Sequence, residues 1–138
     1  MMFPMPTTFD KLNLKDQKEL VVLNAPSTFQ PELEGLKGKI IQRNLATVKQ
    51  LDYFLAFVTK KAEVDALAPQ INKRANGDAV VWFAYPKGTS KKYKCDFNRD
   101  NGWDALNKLG WETVRAVAID EDWSALRMRR EEFVKPRG

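Results

Sequence analysis

Residues 80–94 read VVWFAYPKGTSKKYK, an almost wholly apolar run that ends in Tyr-Pro-Lys and continues into a loop with four lysines. An uninterrupted apolar run bounded by turn residues is typical of a strand that is buried on both faces, as the central strands of parallel sheets are. We therefore predict a central parallel strand at 79–86. The carboxyl ends of parallel strands meet at one edge of the sheet, where ligands bind, so the lysine loop would begin at that edge.

Shorter apolar runs on both sides of this stretch predict the remaining strands, at 19–25, 39–44, 53–59, 114–120 and 125–130. Apolar residues at steps of three and four predict an amphipathic helix over 60–75, which Asn76-Gly77-Asp78 would end. Only residues 121–124 separate the last two strands, and so short a link permits an antiparallel pair but not a parallel crossover. The pattern predicts an α/β fold: a three-layer Rossmann-like sandwich with a mostly parallel sheet of about six strands and a C-terminal antiparallel hairpin.

The composition indicates one globular unit. At 138 residues the chain buries enough surface to fold without disulfide or metal staples. Residues 1–11 contain two prolines and no periodic pattern, which predicts a flexible tail before a single domain at 12–138. No apolar run is long enough to cross a membrane, so we expect no membrane partner. Cys95 is the only cysteine, which excludes an internal disulfide and favours a reducing cytoplasm.

The chain contains no histidine. This excludes Ser-His-Asp and Cys-His nucleophiles and histidine-ligated zinc, and we predict no metal site. The formal net charge is +5, but basic and acidic residues alternate along the chain, so the charge does not favour a dedicated nucleic-acid-binding protein. Weak nucleic-acid binding through the basic loop remains an alternative. Lys94 beside Cys95 is a cation that could lower the pKa of the thiol, but without a resolving cysteine or a base the sequence favours an incidental thiol.

The predicted topology brings several polar and aromatic side chains to the carboxyl edge of the sheet. They follow the first and fourth strands or lie in the hairpin link, and they would bind an anionic small molecule or a protein partner there. The same residues also have an explanation that needs no ligand: the lysines would be solvated, Asp and Ser would form the turn, and Trp would lie in the core. The candidate ligand-binding residues are Asn24, Ser27, Tyr85, Lys87, Asp120, Trp123 and Ser124.

The positions where a nucleotide cofactor would bind lack the required residue types. Such a site needs glycines after the first strand and an acidic residue after the second. Here the first turn is Asn24-Ala25-Pro26-Ser27, without glycine, and the second strand ends in Gln42-Arg43-Asn44. We therefore expect no cofactor. A remodelled S-adenosylmethionine-dependent methyltransferase remains an alternative.

Four segments carry a resemblance to a known family: 12–29, 54–67, 82–87 and 118–130. Their distinctive marks are Leu-Asn-Ala-Pro, Tyr-Pro-Lys and Asp-x-x-Trp-Ser-x-Leu-Arg. On these marks the chain resembles a small bacterial family of unknown function. The order of its elements is also similar to a shortened methyltransferase-type Rossmann sheet, whose final strand is antiparallel. The resemblance implies a Rossmann-like fold and draws attention to Lys87, Trp123 and Ser124, and it implies neither a reaction nor a ligand.

Overall fold

The computed structural model describes residues 8–36, 38–97 and 101–134. Their strands form one six-stranded sheet in the order β2-β1-β3-β4-β6-β5. Strands β1 to β4 are parallel to one another, β6 is antiparallel to β4, and β5 is antiparallel to β6. This arrangement confirms the predicted Rossmann-like fold with its C-terminal antiparallel hairpin. The strands are β1 (Glu19–Leu23), β2 (Ile40–Gln42), β3 (Leu51–Phe57), β4 (Ala75–Pro86), β5 (Trp111–Ala118) and β6 (Trp123–Arg130).

Helices cover both faces of the sheet. The helices are α1 (Thr8–Lys11), α2 (Gln30–Glu34), α3 (Lys61–Arg74) and α4 (Asp104–Lys108), and 3-10 turns occur at Ser27–Phe29, Leu45–Thr47 and Glu131–Phe133. We call the face on which α3 and α4 pack the first face, and the face on which α1 and α2 pack the second face. On β4 the first face carries Val81, Phe83 and Tyr85, and the second face carries Val80, Trp82 and Ala84.

Strand β4 lies between β3 and β6 and is buried from Ala79 to Pro86. Successive side chains enter opposite cores, which is why the sequence shows no polar alternation here. The strand begins at Ala75, four residues before the prediction, so the predicted turn at Asn76-Gly77-Asp78 is wrong. Helix α3 ends at Arg74 and the next residue is already extended, while Gly77, at φ 58°, adopts a left-handed conformation inside the strand.

The N-terminal part of the described chain belongs to the core. Phe9 of α1 and Leu12 are buried, and the Leu12 carbonyl accepts hydrogen bonds from Tyr53 Oη at 2.8 Å and Trp82 Nε1 at 2.7 Å. Of the predicted tail, residues 8–11 form α1 and bury Phe9 in the core of the second face, and the two buried hydrogen bonds follow directly after them at Leu12. Residues 1–7 of that predicted tail lie outside the described residues.

The hairpin of β5 and β6 starts earlier on both strands than the sequence predicts. An irregularity between Thr113 and Arg115 leaves one extra residue on β5, as in a β-bulge. Strand β5 is the edge of the sheet, and its residues 112–116 are exposed. The short helix before it begins at Asp104 with Trp103 at its N-cap position.

Trp82, Trp103 and Trp111 are buried in the core. Among the described residues, no helix has the length and apolar composition that a membrane crossing requires.

Candidate functional site

The loop after β4 and the link between β5 and β6 are joined at the carboxyl edge of the sheet. Lys87 N donates to the Asp122 carbonyl at 2.8 Å, and Ser90 Oγ donates to Asp122 Oδ1 at 2.9 Å. The loop is also attached to the start of α3, because Lys61 N donates to Asp96 Oδ1 at 2.7 Å. These hydrogen bonds hold the lysine loop against the rest of the edge at both of its ends.

A cavity of about 350 Å³ lies within this loop. Its apolar wall contains Tyr85 and Phe97, whose ring centroids are 6.0 Å apart, and Trp103 packs behind both rings. Lys87 and Lys94 supply cations to the lining. An apolar wall with a few charged groups is the usual composition of a small-molecule site. The full lining is Tyr85, Pro86, Lys87, Gly88, Ser90, Tyr93, Lys94, Cys95 and Phe97.

The other two lysines of the loop, Lys91 and Lys92, line a second cavity of about 420 Å³ together with Glu121 and Asp122. The carboxylates there offset the lysines. The four lysines that stand together in the sequence thus lie in two different electrostatic environments, and the cavity of Lys87 and Lys94 has the greater excess of positive charge in its lining.

Trp123 supports the cavity from the second face of the sheet. Its ring packs edge-on against Phe57 at 5.0 Å between centroids and contacts Tyr93 at 4.9 Å. The indole is only 4% exposed, and its Nε1 is buried without a hydrogen-bond partner. Trp123 therefore lies beneath Tyr93, which itself lines the cavity.

Asp120 lies in the link between β5 and β6, and Ser124 is the second residue of β6. Asp120 Oδ1 accepts the backbone N–H groups of Asp122 and Trp123, both at 2.8 Å, which is the side-chain hydrogen bonding that favours Asp in turns. Ser124 Oγ donates to the Val117 carbonyl at 3.4 Å, and Ser124 pairs with Tyr85 in the sheet register. Both side chains thus stabilise the segment that holds Lys87.

Asn24 and Ser27 lie after β1, on the other side of β3 from the cavity. Asn24 is exposed and has a left-handed φ of 58°, a conformation that Asn tolerates better than most residues. Ser27 begins a three-residue 3-10 turn after Pro26. The predicted site residues therefore divide into two groups, with Tyr85, Lys87, Asp120, Trp123 and Ser124 close together and Asn24 and Ser27 apart from them.

The residues around β1 and β3 do not fit an ordinary adenosyl or dinucleotide cofactor. Such a ligand needs free backbone N–H groups after the first strand and a carboxylate after the second. The turn after β1 contains Pro26, which has no N–H. After β3, the N–H groups of Thr59 and Lys60 both donate to Glu63 Oε1, at 2.9 and 3.0 Å. Arg43, which follows β2, is a cation where an acidic residue would hold the ribose.

Burial of Cys95 raises the pKa of its thiol, and the nearby carboxylates of Asp96 and Glu63 act in the same direction. The thiol pKa is therefore not lowered as a neighbouring cation could do: desolvation is the largest cause and outweighs the backbone hydrogen bond with Phe97, which acts to lower it. The sequence also missed the roles of Tyr93 and Phe97 beside the cavity. The signal available for them was the spacing of aromatic residues among the lysines of the loop.

Comparison with known proteins supports the fold. No family model and no curated protein sequence matches the chain. Among solved structures, a SAM-dependent methyltransferase from Aquifex aeolicus is similar at a TM-score of 0.60 and 10% identity, over 88% of this chain and 86% of that one. The ribosomal protein L11 methylase of Lactobacillus delbrueckii subsp. bulgaricus is similar at a TM-score of 0.58 and 14% identity, over 89% of this chain and 75% of that one. The fibrillarin pre-rRNA processing protein of Methanococcus jannaschii is similar at a TM-score of 0.54 and 10% identity, over 94% of this chain and 70% of that one.

These identities are low, so the similarity concerns the fold: the chain has a methyltransferase-like Rossmann fold. The resemblance to a small bacterial family stays a prediction.

Proposed function

We propose that this chain is a relative of the S-adenosylmethionine-dependent methyltransferases that binds an anionic small molecule in the cavity after β4. The observation that carries the proposal is the cavity itself, where Lys87 and Lys94 stand beside the aromatic wall of Tyr85 and Phe97. Its location at the carboxyl edge is where open α/β sheets bind ligands.

The lysines supply charge and the rings supply area. Lysine ammonium groups attract a phosphate or carboxylate as point charges without fixing its orientation. The Tyr85 and Phe97 rings offer apolar surface for the uncharged part of the ligand. This combination favours an organic anion over a bare ion, because a bare ion gains nothing from the aromatic wall.

Hydrogen bonds to the hairpin make the site partly preformed. Lys87 N and Ser90 Oγ both bond to Asp122, and Asp120 holds Asp122 in its turn. A preformed loop loses less conformational entropy on binding than a free one. In this proposal Asp120, Trp123 and Ser124 act as positioning residues, and Lys87, Lys94 and Tyr85 contact the ligand.

A methyltransferase that kept a remodelled adenosyl pocket is the second candidate. The solved structures similar to this chain support it, since those named above include a SAM-dependent methyltransferase and a methylase. In that case Asn24 and Ser27, after β1, would face the ligand in place of the usual glycines. The occupied N–H groups after β3 make this candidate weaker on the geometry.

Thermal unfolding against a ligand panel separates the two candidates. The panel contains S-adenosylmethionine, S-adenosylhomocysteine, nucleoside phosphates, sugar phosphates and dicarboxylates. A ligand at a hundred times its dissociation constant stabilises the protein by about 2.7 kcal/mol, which raises the melting temperature by several degrees. We expect stabilisation by an organic anion that is lost in Lys87→Ala and reduced in Lys94→Ala.

The matched control is Lys49→Ala, since Lys49 is an exposed lysine in the connection before β3. Stabilisation by the adenosyl compounds alone, unchanged in Lys87→Ala, would favour the methyltransferase instead. No stabilisation by any compound would contradict the small-molecule site and direct attention to a protein partner. Stabilisation by an oligonucleotide that weakens steeply with salt would favour the nucleic-acid alternative.

A further inference from the structure

Two arginines face each other on the antiparallel strands β5 and β6. Arg115 and Arg127 are cross-strand partners in the sheet register, and directly opposed side chains on neighbouring strands lie on the same face, close together. The irregularity between Thr113 and Arg115 causes this pairing, because Thr113 pairs with Met128 and the next paired residue is Arg115. Both arginines thus lie on the second face, where Arg127 is near Asn13.

The carboxylate of Asp78, which acts electrostatically on Arg127, is bound to a third arginine. Arg129 Nε donates to Asp78 Oδ1 at 2.9 Å, and its Nη2 also bonds to that carboxylate. Glu112 is the cross-strand partner of the same arginine. Within the part of the chain that the structure describes, neither Arg115 nor Arg127 forms an ion pair, and Asp78, which acts on Arg127 from a distance, is shared with Arg129.

Arg127 is only partly hydrogen-bonded although it is half-buried. Its Nε is buried without a partner, and its Nη1 reaches Asn13 Oδ1 only at 3.4 Å. Burial lowers the pKa of Arg127, and the charges of Arg129 and Arg115 lower it further, against the opposing effects of Asp78 and Tyr53. Opposed like charges and an unsatisfied buried donor are both unfavourable, and an anion bound between the two guanidinium groups would relieve the repulsion of the charges.

We propose that Arg115 and Arg127 form an oxyanion site on the second face of the β5–β6 hairpin, which takes a phosphate ion or the phosphoryl group of a larger ligand. The planar guanidinium groups can each present two N–H donors to a tetrahedral oxyanion. This site is separate from the cavity of the proposed function. Arg127 lies four residues along β6 from Trp123, about 13 Å at the rise of a strand.

The test is an NMR titration that observes the arginine Nε–H signals directly. Isotope-labelled protein is titrated with inorganic phosphate in one arm and with a short single-stranded oligonucleotide in the other, at constant ionic strength. We expect the chemical shift of the Arg127 Nε–H signal to change as titrant is added and to reach a plateau when the site is saturated. We also expect Arg115→Gln to weaken binding by at least about tenfold, as loss of a charged partner does.

Two variants are controls. Arg43→Gln removes an exposed arginine on the far side of the sheet, and Lys87→Ala removes the cation of the other cavity; neither should change the titration. Arg115→Gln leaves the half-buried Arg127 in place, so a fold defect does not confuse the result. An unchanged Arg127 signal, or equal affinity in wild type and Arg115→Gln, would overturn the proposal.

The two arms identify the source of the anion. Saturation by inorganic phosphate indicates a free anion or a phosphomonoester, and saturation by the oligonucleotide alone indicates a phosphodiester backbone. If Lys87→Ala abolishes ligand stabilisation and leaves the Arg127 response intact, both sites are supported independently. If Lys87→Ala leaves ligand stabilisation intact and abolishes the Arg127 response, neither site is supported.

Discussion

Replacing Phe9 by Ala tests whether the segment before β1 is part of the fold. Phe9 is 2% exposed, and its ring contacts Phe29 and Tyr53 at centroid distances of 5.5 and 6.2 Å. Truncation of a buried Phe costs 3–5 kcal/mol. Because α1 has only four residues and can relax, we expect a loss of about 3 kcal/mol, or a melting temperature lower by roughly 10 °C for a domain of this size.

Urea denaturation followed by tryptophan fluorescence measures this loss. Trp82 reports on the same region, since its Nε1 bonds to the Leu12 carbonyl. The matched control is Lys11→Ala in the same helix, which is exposed and should change the free energy of unfolding by less than about 0.5 kcal/mol. A loss below about 1 kcal/mol for Phe9→Ala would refute the reasoning and favour a loosely held tail.

Three further predictions concern the edge of the sheet. Gly102→Ala should lower the free energy of unfolding by at least about 2 kcal/mol, because φ is +91° and the new Cβ would lie 2.7 Å from Phe97 Cβ. The control Gly77→Ala, at φ +58° with open space around it, should lower it by only about 1 kcal/mol. Chemical denaturation of both variants measures the difference. Asp120→Ala should lose about 1–2 kcal/mol with its two backbone hydrogen bonds, and Asp120→Asn should recover most of that in the same assay. The raised thiol pKa of Cys95 means that the folded state favours the neutral thiol, so alkylation by iodoacetamide at pH 8 should be slower than for a cysteine peptide. The contribution of the neutral Cys95 thiol to the free energy of unfolding should be lost as pH rises above about 8.5. Equal alkylation rates would contradict the burial of the thiol.

The sequence alone predicted the elements that have strong local signals. Continuous apolarity identified β4 and β3 as buried strands, and the four-residue link fixed β5 and β6 as an antiparallel pair. The same reasoning placed Lys87 at the carboxyl edge, because a strand end defines its position in the sheet. The sequence predicts a loose tail at 1–11, because one buried Phe in a four-residue helix produces no periodic signal.

Only the tertiary structure decided which side chains meet. The cavity depends on Tyr93 and Phe97, which lie in a loop without periodicity, so no local pattern indicates the direction of their side chains. Simple alternation along β5 would also put Arg115 on the face opposite to Arg127. The extra residue after Thr113 reverses that assignment, since a bulge shifts every later side chain to the other face. Such a shift results from the pairing of two strands, and a single strand's sequence does not contain it.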